Sequence, residues 1–131
     1  MLPYALSLLA RRSVAHRRII NDKADYIAGK GLTHNENSPL LGSLVQRANG
    51  SGESLRSVIA RLALDEAMFG NAFMEVVTDS SHSFLSLYHI DASSCRLARD
   101  MEHVVLHHDW QAFRSTEART LPLYPLFESQ E

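Results

Sequence analysis

Seven histidines in 131 residues are the first candidates for chemistry, because imidazole serves both as metal ligand and as general base. His103, His107, His108 and Asp109 cluster along the chain. If Val104-Val-Leu106 is a strand, His103 and His107 share a face but stand about 13 Å apart, too far for one ion. On the same strand geometry His107 and His108 point to opposite faces. His89 and Asp91 can share a face, yet two ligands do not close a zinc site, and there is no Cys pair and no His-Glu-x-x-His helix. A metal-dependent hydrolase is therefore the weakest of three functional classes, and half-buried strand histidines are the plainer reading. Ser93-Ser-Cys95 lies near His89 and Asp91 in sequence, but nothing fixes a nucleophile–base geometry and no Gly-x-Ser-x-Gly elbow occurs. Gly29-Lys-Gly31 lacks the length and following hydroxyl residue of a phosphate loop. The basic run Arg11-Arg-Ser-Val-Ala-His-Arg-Arg18 offers phosphate or subunit contacts through Arg11, Arg12, Arg17 and Arg18. Without interleaved aromatic residues for base stacking, a solvated helix face is the simpler account. No catalytic residue, metal or cofactor is expected.

Charge is uneven. Residues 1–32 carry six basic and two acidic side chains, the remaining 99 seven and thirteen, so a +4 arm precedes a −6 body. The single cysteine, Cys95, excludes an internal disulfide and reads as a small packed hydrophobe. Asn49-Gly-Ser51 matches a glycosylation sequon but reads as a loop. Leu2 to Ala10 is too short and too interrupted to span a membrane, and its arginines follow the apolar run, unlike a signal peptide. Met1 to Asn21 has the Arg-rich, acid-free composition of a transit peptide, but the pattern runs unbroken into Asp22-Lys-Ala-Asp-Tyr-Ile-Ala28.

The elements that must position these residues begin with a helix somewhere between Tyr4 and Ala28. Leu6, Leu9, Ile20, Ala24 and Ile27 fall at helical spacing, Ser13 interrupts them, and Gly29 and Gly31 stop them. Residues 32–50 read as a connection with a short helical piece at Leu40–Val45. Ser51 or Ser54 caps a second helix whose face is Leu55, Val58, Ile59, Leu62 and Ala63, continued by Ala67 and Phe69. Gly70-Asn71 ends it at a corner requiring positive φ. Ala72–Val77 is apolar on both faces except Glu75, which predicts a strand covered on both sides. Phe84–Ile90 reads as its return strand, and Cys95–Arg99 with Val104–His108 as a second hairpin. The pattern weakens beyond Asp109. The expectation is one α+β domain over residues 1–131, with two main helices packed on a small, mostly antiparallel sheet. Within it lie a basic helical arm (1–31), a connection (32–50), a helix with β-hairpins (51–108) and a tail (109–131). The apolar stretch Leu121-Pro-Leu-Tyr-Pro-Leu-Phe127 is unlike a polar, frayed terminus and suggests a cut chain or one docked on a neighbour.

Five segments together carry a resemblance. Lys23-Ala-Asp-Tyr-Ile-Ala-Gly-Lys-Gly-Leu32 is followed by Asp65-x-x-x-x-Gly70-Asn71-Ala72-Phe73-x-Glu75, then Arg96-x-x-x-Asp100, His108-Asp-Trp110 and Leu121–Phe127. In that order they resemble the amino-terminal part of tailed-bacteriophage portal proteins and cover most of the chain. The resemblance implies Gly29, Gly31, Asp65, Gly70, Asn71, Glu75, Arg96 and Trp110 as structural motif residues. It also implies a wing-like module in a homo-oligomeric ring at one capsid vertex, with capsid and packaging-motor partners. The expected location is then the virion or the host cytoplasm, phage or prophage encoded, with no membrane. Family members are several hundred residues long, and their stem and channel have no counterpart here, so no DNA-channel residue is transferred. The alternative class is a small non-viral α+β binding or sensor domain with the tail as its docking peptide.

Overall fold

Ser13 divides the amino-terminal helical stretch in two. The computed structural model describes residues 2–30, 32–81 and 85–123. In it α1 (Leu2–Arg12) and α2 (Val14–Ala28) flank Ser13, whose extended backbone and side chain cap α2 by accepting from the His16 N–H at 3.2 Å. The single helix expected over this stretch is thus two, and the interrupting serine is the reason. α3 (Pro39–Gln46) opens with Ser38 as cap and Pro39 in its first turn, and α4 (Leu55–Phe69) is capped by Ser54, which accepts from the Ser57 N–H. Gly31, His82, Phe84 and residues 124–127 of the apolar tail lie outside the described residues.

The described residues build an α+β fold with four helices and two small antiparallel sheets. They group into two compact units, one over Leu2–Ser93 and one beginning at Ser94.

In the first unit α2 packs along α4, and α1 touches both. Ile20 and Ala24 are the buried face of α2 and Ala10 that of α1, whereas Leu9 and Ile27, expected on the same apolar face, stay about half exposed. The core is Ala48, Leu55, Val58 and Leu87, joined by Leu44, Val45, Ile59, Leu62 and Leu85. The apolar stripe read on α4 is therefore the one that packs, each full Leu or Val burial adding about 1.5–3 kcal/mol. β1 (Phe73–Thr78) pairs with β2 (Leu85–Ile90) in an unbroken register from Phe73↔Ile90 to Thr78↔Leu85. β1 corrects the expectation of a strand covered on both sides: Met74, Val76 and Val77 are each about 40% exposed. A two-stranded ribbon has no second layer over its outer strand, whatever the composition of that strand.

The second unit is a three-stranded antiparallel sheet in the order β3 (Cys95–Leu97), β4 (His103–Leu106), β5 (Arg119–Pro122). The expected hairpin is β3–β4, turned at Met101 with φ 60. β5 has no clear pattern in the sequence and takes in Leu121 and Pro122 of the apolar tail, with Leu121 opposite Val104. Pro122 is its last residue, where a missing donor does least harm. Cys95 is 3% exposed, packed as its type suggests. No described helix is long and apolar enough to cross a membrane.

The corner after α4 turns on Gly70, at φ 76 and ψ 8, whose N–H closes on the Glu66 carbonyl at 3.0 Å. A Cβ there meets nothing within 4 Å, so only the left-handed backbone constrains the residue. Gly70→Val is expected to lose on the order of 1–3 kcal/mol by strain, and Gly70→Asn clearly less. Urea denaturation of the two variants checks this, and equal stabilities would remove the corner from the account.

Candidate functional site

Asp65 is the one carboxylate on the apolar stripe of α4, a turn beyond Leu62 and two beyond Val58. Its side chain is 10% exposed and that of His89, on β2, is 7% exposed. Asp65 Oδ2 lies 2.7 Å from His89 Nε2 and accepts the Ala92 backbone N–H at 3.0 Å. The carboxylate therefore ties the helix to the strand and to the turn that leaves it. With Nε2–H donating to Asp65, the opposite nitrogen, Nδ1, is buried without a partner among the described residues. Strand alternation lets His89 share a face with Asp91, two residues on. His89 reaches instead 24 residues back, to a helix that sequence spacing cannot place beside it.

A second long-range clamp holds the other edge of β2. Asn49 is 3% exposed, donates through Nδ2 to the Leu87 carbonyl at 3.0 Å, and accepts the Ser51 N–H at 3.0 Å. Leu87 N–H in turn reaches the Ala48 carbonyl at 2.7 Å. The sequon asparagine is thus in a loop as read, but its amide is committed to the fold. Gly50 donates to the Tyr88 hydroxyl at 3.2 Å, and a Cβ on it would stand 3.1 Å from that oxygen. Neither Asn49 nor Tyr88 carries a signal in the sequence, since each acts through a partner 38 residues away.

The basic junction is structured by one of its own arginines. Arg17 donates from Nε to the Ala10 carbonyl at 2.8 Å and from Nη2 to the Arg11 carbonyl at 2.9 Å. A guanidinium on the last carbonyls of α1 satisfies acceptors that the helix leaves open and opposes the negative end of its dipole. Arg11 and Arg12 are exposed, and Arg18 makes a 3.9 Å surface pair with Asp22, worth little in water. A groove of about 310 Å³ opens between α1, α2 and α4. Ala10, Ile20, Leu64 and Met68 line its floor, and Arg11 and Arg17 its edge.

The remaining motif residues are scattered. Gly29 caps α2 at φ 56, Asn71 is exposed after the α4 corner, and Glu75 is half-buried opposite Tyr88. Arg96 and Trp110 meet in the second unit, the guanidinium 5.0 Å from the ring centre, while the indole N–H donates to the Ser94 carbonyl at 2.9 Å. Trp110 stacks on Phe113 at 5.0 Å.

His107 and His108 do not face opposite ways as strand alternation predicts. β4 ends at Leu106, the alternation stops with it, and the two imidazoles stack at 4.7 Å. Ligand atoms of His107, His108 and Glu117 lie within 4.8 Å of one another. Yet the Asp109 N–H is 3.0 Å from His107 Nδ1 and the Arg114 N–H 3.3 Å from Nε2. A neutral imidazole accepts at one nitrogen only, so one of these two N–H groups is bonded to the ring and the other only lies close to it; the ring packs among His108, Trp110 and Phe113. In the β3–β4 turn Asp100 accepts the Glu102 N–H at 2.9 Å and contacts His103 Nδ1 at 2.8 Å.

No protein-family model matches the chain, and no curated protein and no solved structure is similar to it.

Replacing Asp65 by Ala strands two buried donors, the His89 Nε2–H and the Ala92 N–H, and is expected to cost on the order of 2–4 kcal/mol. Asp65→Asn keeps an acceptor oxygen and is expected to cost less than half as much. Chemical denaturation of both variants measures the difference, and near-wild-type stability in Asp65→Ala would refute the clamp. Asp100 makes a separate case. The Glu102 N–H first, then the His103 contact, hold its carboxyl below the ordinary 3.8. A depressed acid stabilises the turn above the unfolded value and loses that contribution as pH falls through the folded one. A carboxyl-carbon NMR titration should therefore find Asp100 below 3.8, and a midpoint at or above it would contradict the turn geometry.

Proposed function

We propose that this chain is a structural subunit of a phage portal vertex, its wing-like part, serving DNA packaging and head–tail connection without catalysis. The observation that carries the reading is the ordered motif set, above all Asp65 to Glu75. These residues are scaffold in kind: a buried clamp, a left-handed corner and a hairpin strand. A residue set of this sort suits a part whose job is shape.

Surface composition supports an assembly role. Leu2, Val14, Ile19, Tyr26 and Ile27 are between about half and nine-tenths exposed along α1 and α2, interleaved with the arginines of the arm. Apolar area left exposed in this amount is what association would cover. The partners are other copies of the chain in a ring, with capsid and packaging-motor proteins around it, in the virion or the host cytoplasm. No cofactor enters this role.

Sedimentation velocity and negative-stain microscopy test the proposal, on the chain alone and on the chain extended by whatever its gene encodes after Glu131. The extended chain is expected to form a large closed ring of fixed stoichiometry. The chain alone is expected to associate weakly, less so as salt rises if opposite charges steer the contact. A monomer in both forms would defeat the portal reading and favour a small binding domain.

A further inference from the structure

Among the described residues the outer edge of β1 has no neighbouring strand. The direction of its backbone groups follows from β2. The Leu87 N–H turns away from β1 to the Ala48 carbonyl, and the Leu87 carbonyl accepts from Asn49. In an antiparallel ladder the N–H and C=O of one residue point to the same side. Val76, opposite Leu87, therefore makes no ladder bond to it. Its N–H and C=O point outward, and by the two-residue period so do those of Met74 and Thr78. No described residue bonds to any of these groups. β1 also carries no lysine, proline or bulge, the usual guards of an open edge. The side chains of the same three residues share the face of Leu85, Leu87 and His89. At β2 that face packs on α4, yet at β1 it leaves Met74 43% and Val76 39% exposed.

We propose that this edge pairs with the β1 edge of a second copy, antiparallel about a two-fold axis at Val76. The strand order across the two copies is then β2–β1–β1–β2. In this register the strand is its own complement. Val76 meets its counterpart and Met74 meets Thr78 on either side of the axis, so each outward N–H and C=O of the three residues finds a partner. Centring on Glu75 would set two carboxylates opposite each other, and centring on Val77 would carry Met74 past the end of the strand. Met74 and Val76 of each copy are continued by those of the other, on the face that α4 covers at β2. The symmetry of the strand's own pattern selects a second copy over an extended segment of another protein. The contact is closed by its two-fold, so it joins two copies and stands apart from the heterologous contact that a ring requires.

Cysteine variants of the 131-residue chain read the register. Opposed Cα atoms of a hydrogen-bonded antiparallel pair stand about 5.5 Å apart, within reach of a disulfide. Val76→Cys is expected to bond to its own counterpart under mild oxidation. Met74→Cys alone is expected not to, because its counterpart lies about 13 Å along the strand. Mixed with Thr78→Cys it is expected to form the 74–78 bond, identified by peptide mass spectrometry. The native Cys95 is 3% exposed and does not compete for exposed thiols. Val76→Lys sets like charges together on the axis and should weaken association at least about tenfold in sedimentation velocity, with the far-UV spectrum unchanged. Hydrogen exchange gives an independent reading. The amides of Met74, Val76 and Thr78 should gain protection as protein concentration rises, whereas those of Glu75 and Val77, bonded to β2, stay protected throughout. A monomer at every concentration, equal self-bonding at positions 74 and 76, or exchange at the three amides that ignores concentration overturns the pairing.

Discussion

The Asp65 carboxylate is the point on which the first unit depends. It sits on the buried face of α4, where an unpaired charge would be costly, and two donors from later in the chain meet it there. Those donors belong to β2 and to the turn after it, so satisfying the acid fixes where the hairpin returns relative to the helix. The left-handed corner at Gly70 then has a defined task, which is to send β1 out so that β2 comes back within reach of Asp65. Helix, corner and hairpin form one mechanical piece. The Asn49 clamp on Leu87 secures the other edge of the same strand.

The arm is organised on a similar principle, with polar side chains spent on the backbone. Ser13 caps the start of α2 and Arg17 covers the end of α1, so the break between the helices is bonded on both sides. One consequence is functional. Of the four arginines in the basic run, Arg17 is bound into the helix junction, whereas Arg11, Arg12 and Arg18 remain at the surface. The run is thus partly architecture and partly an outward cationic face, and the sequence cannot separate the two. The second unit spends its aromatic and imidazole side chains on one another, through the His107–His108 and Trp110–Phe113 stacks and the Arg96–Trp110 contact.

This economy bears on the choice among functional classes. His107 is packed among His108, Trp110 and Phe113, and Asp65 with His89 is a tie between elements. What faces outward is apolar side chain interleaved with arginine on the arm, and Met74, Val76 and Val77 on the hairpin. The proposed assembly role rests on that surface.

Local rules acting within a few residues were legible in the sequence. They cover the α+β class, the capped helix at Leu55–Phe69, the positive φ at Gly70, the two hairpins and the burial of Cys95, because caps, periodicity and glycine conformation are short-range properties. Asp65 also carried a sign, as a carboxylate on the Val58 stripe, although its partner did not. The tertiary structure alone decided His89 with Asp65, Asn49 with Leu87, the exposure of β1 and the existence of β5. Each depends on residues tens of positions apart, or on whether a second layer covers a strand, and no local period records either. The stacked histidines mark the boundary between the two. Alternation would have held them apart had β4 run two residues further, and the strand ends at Leu106.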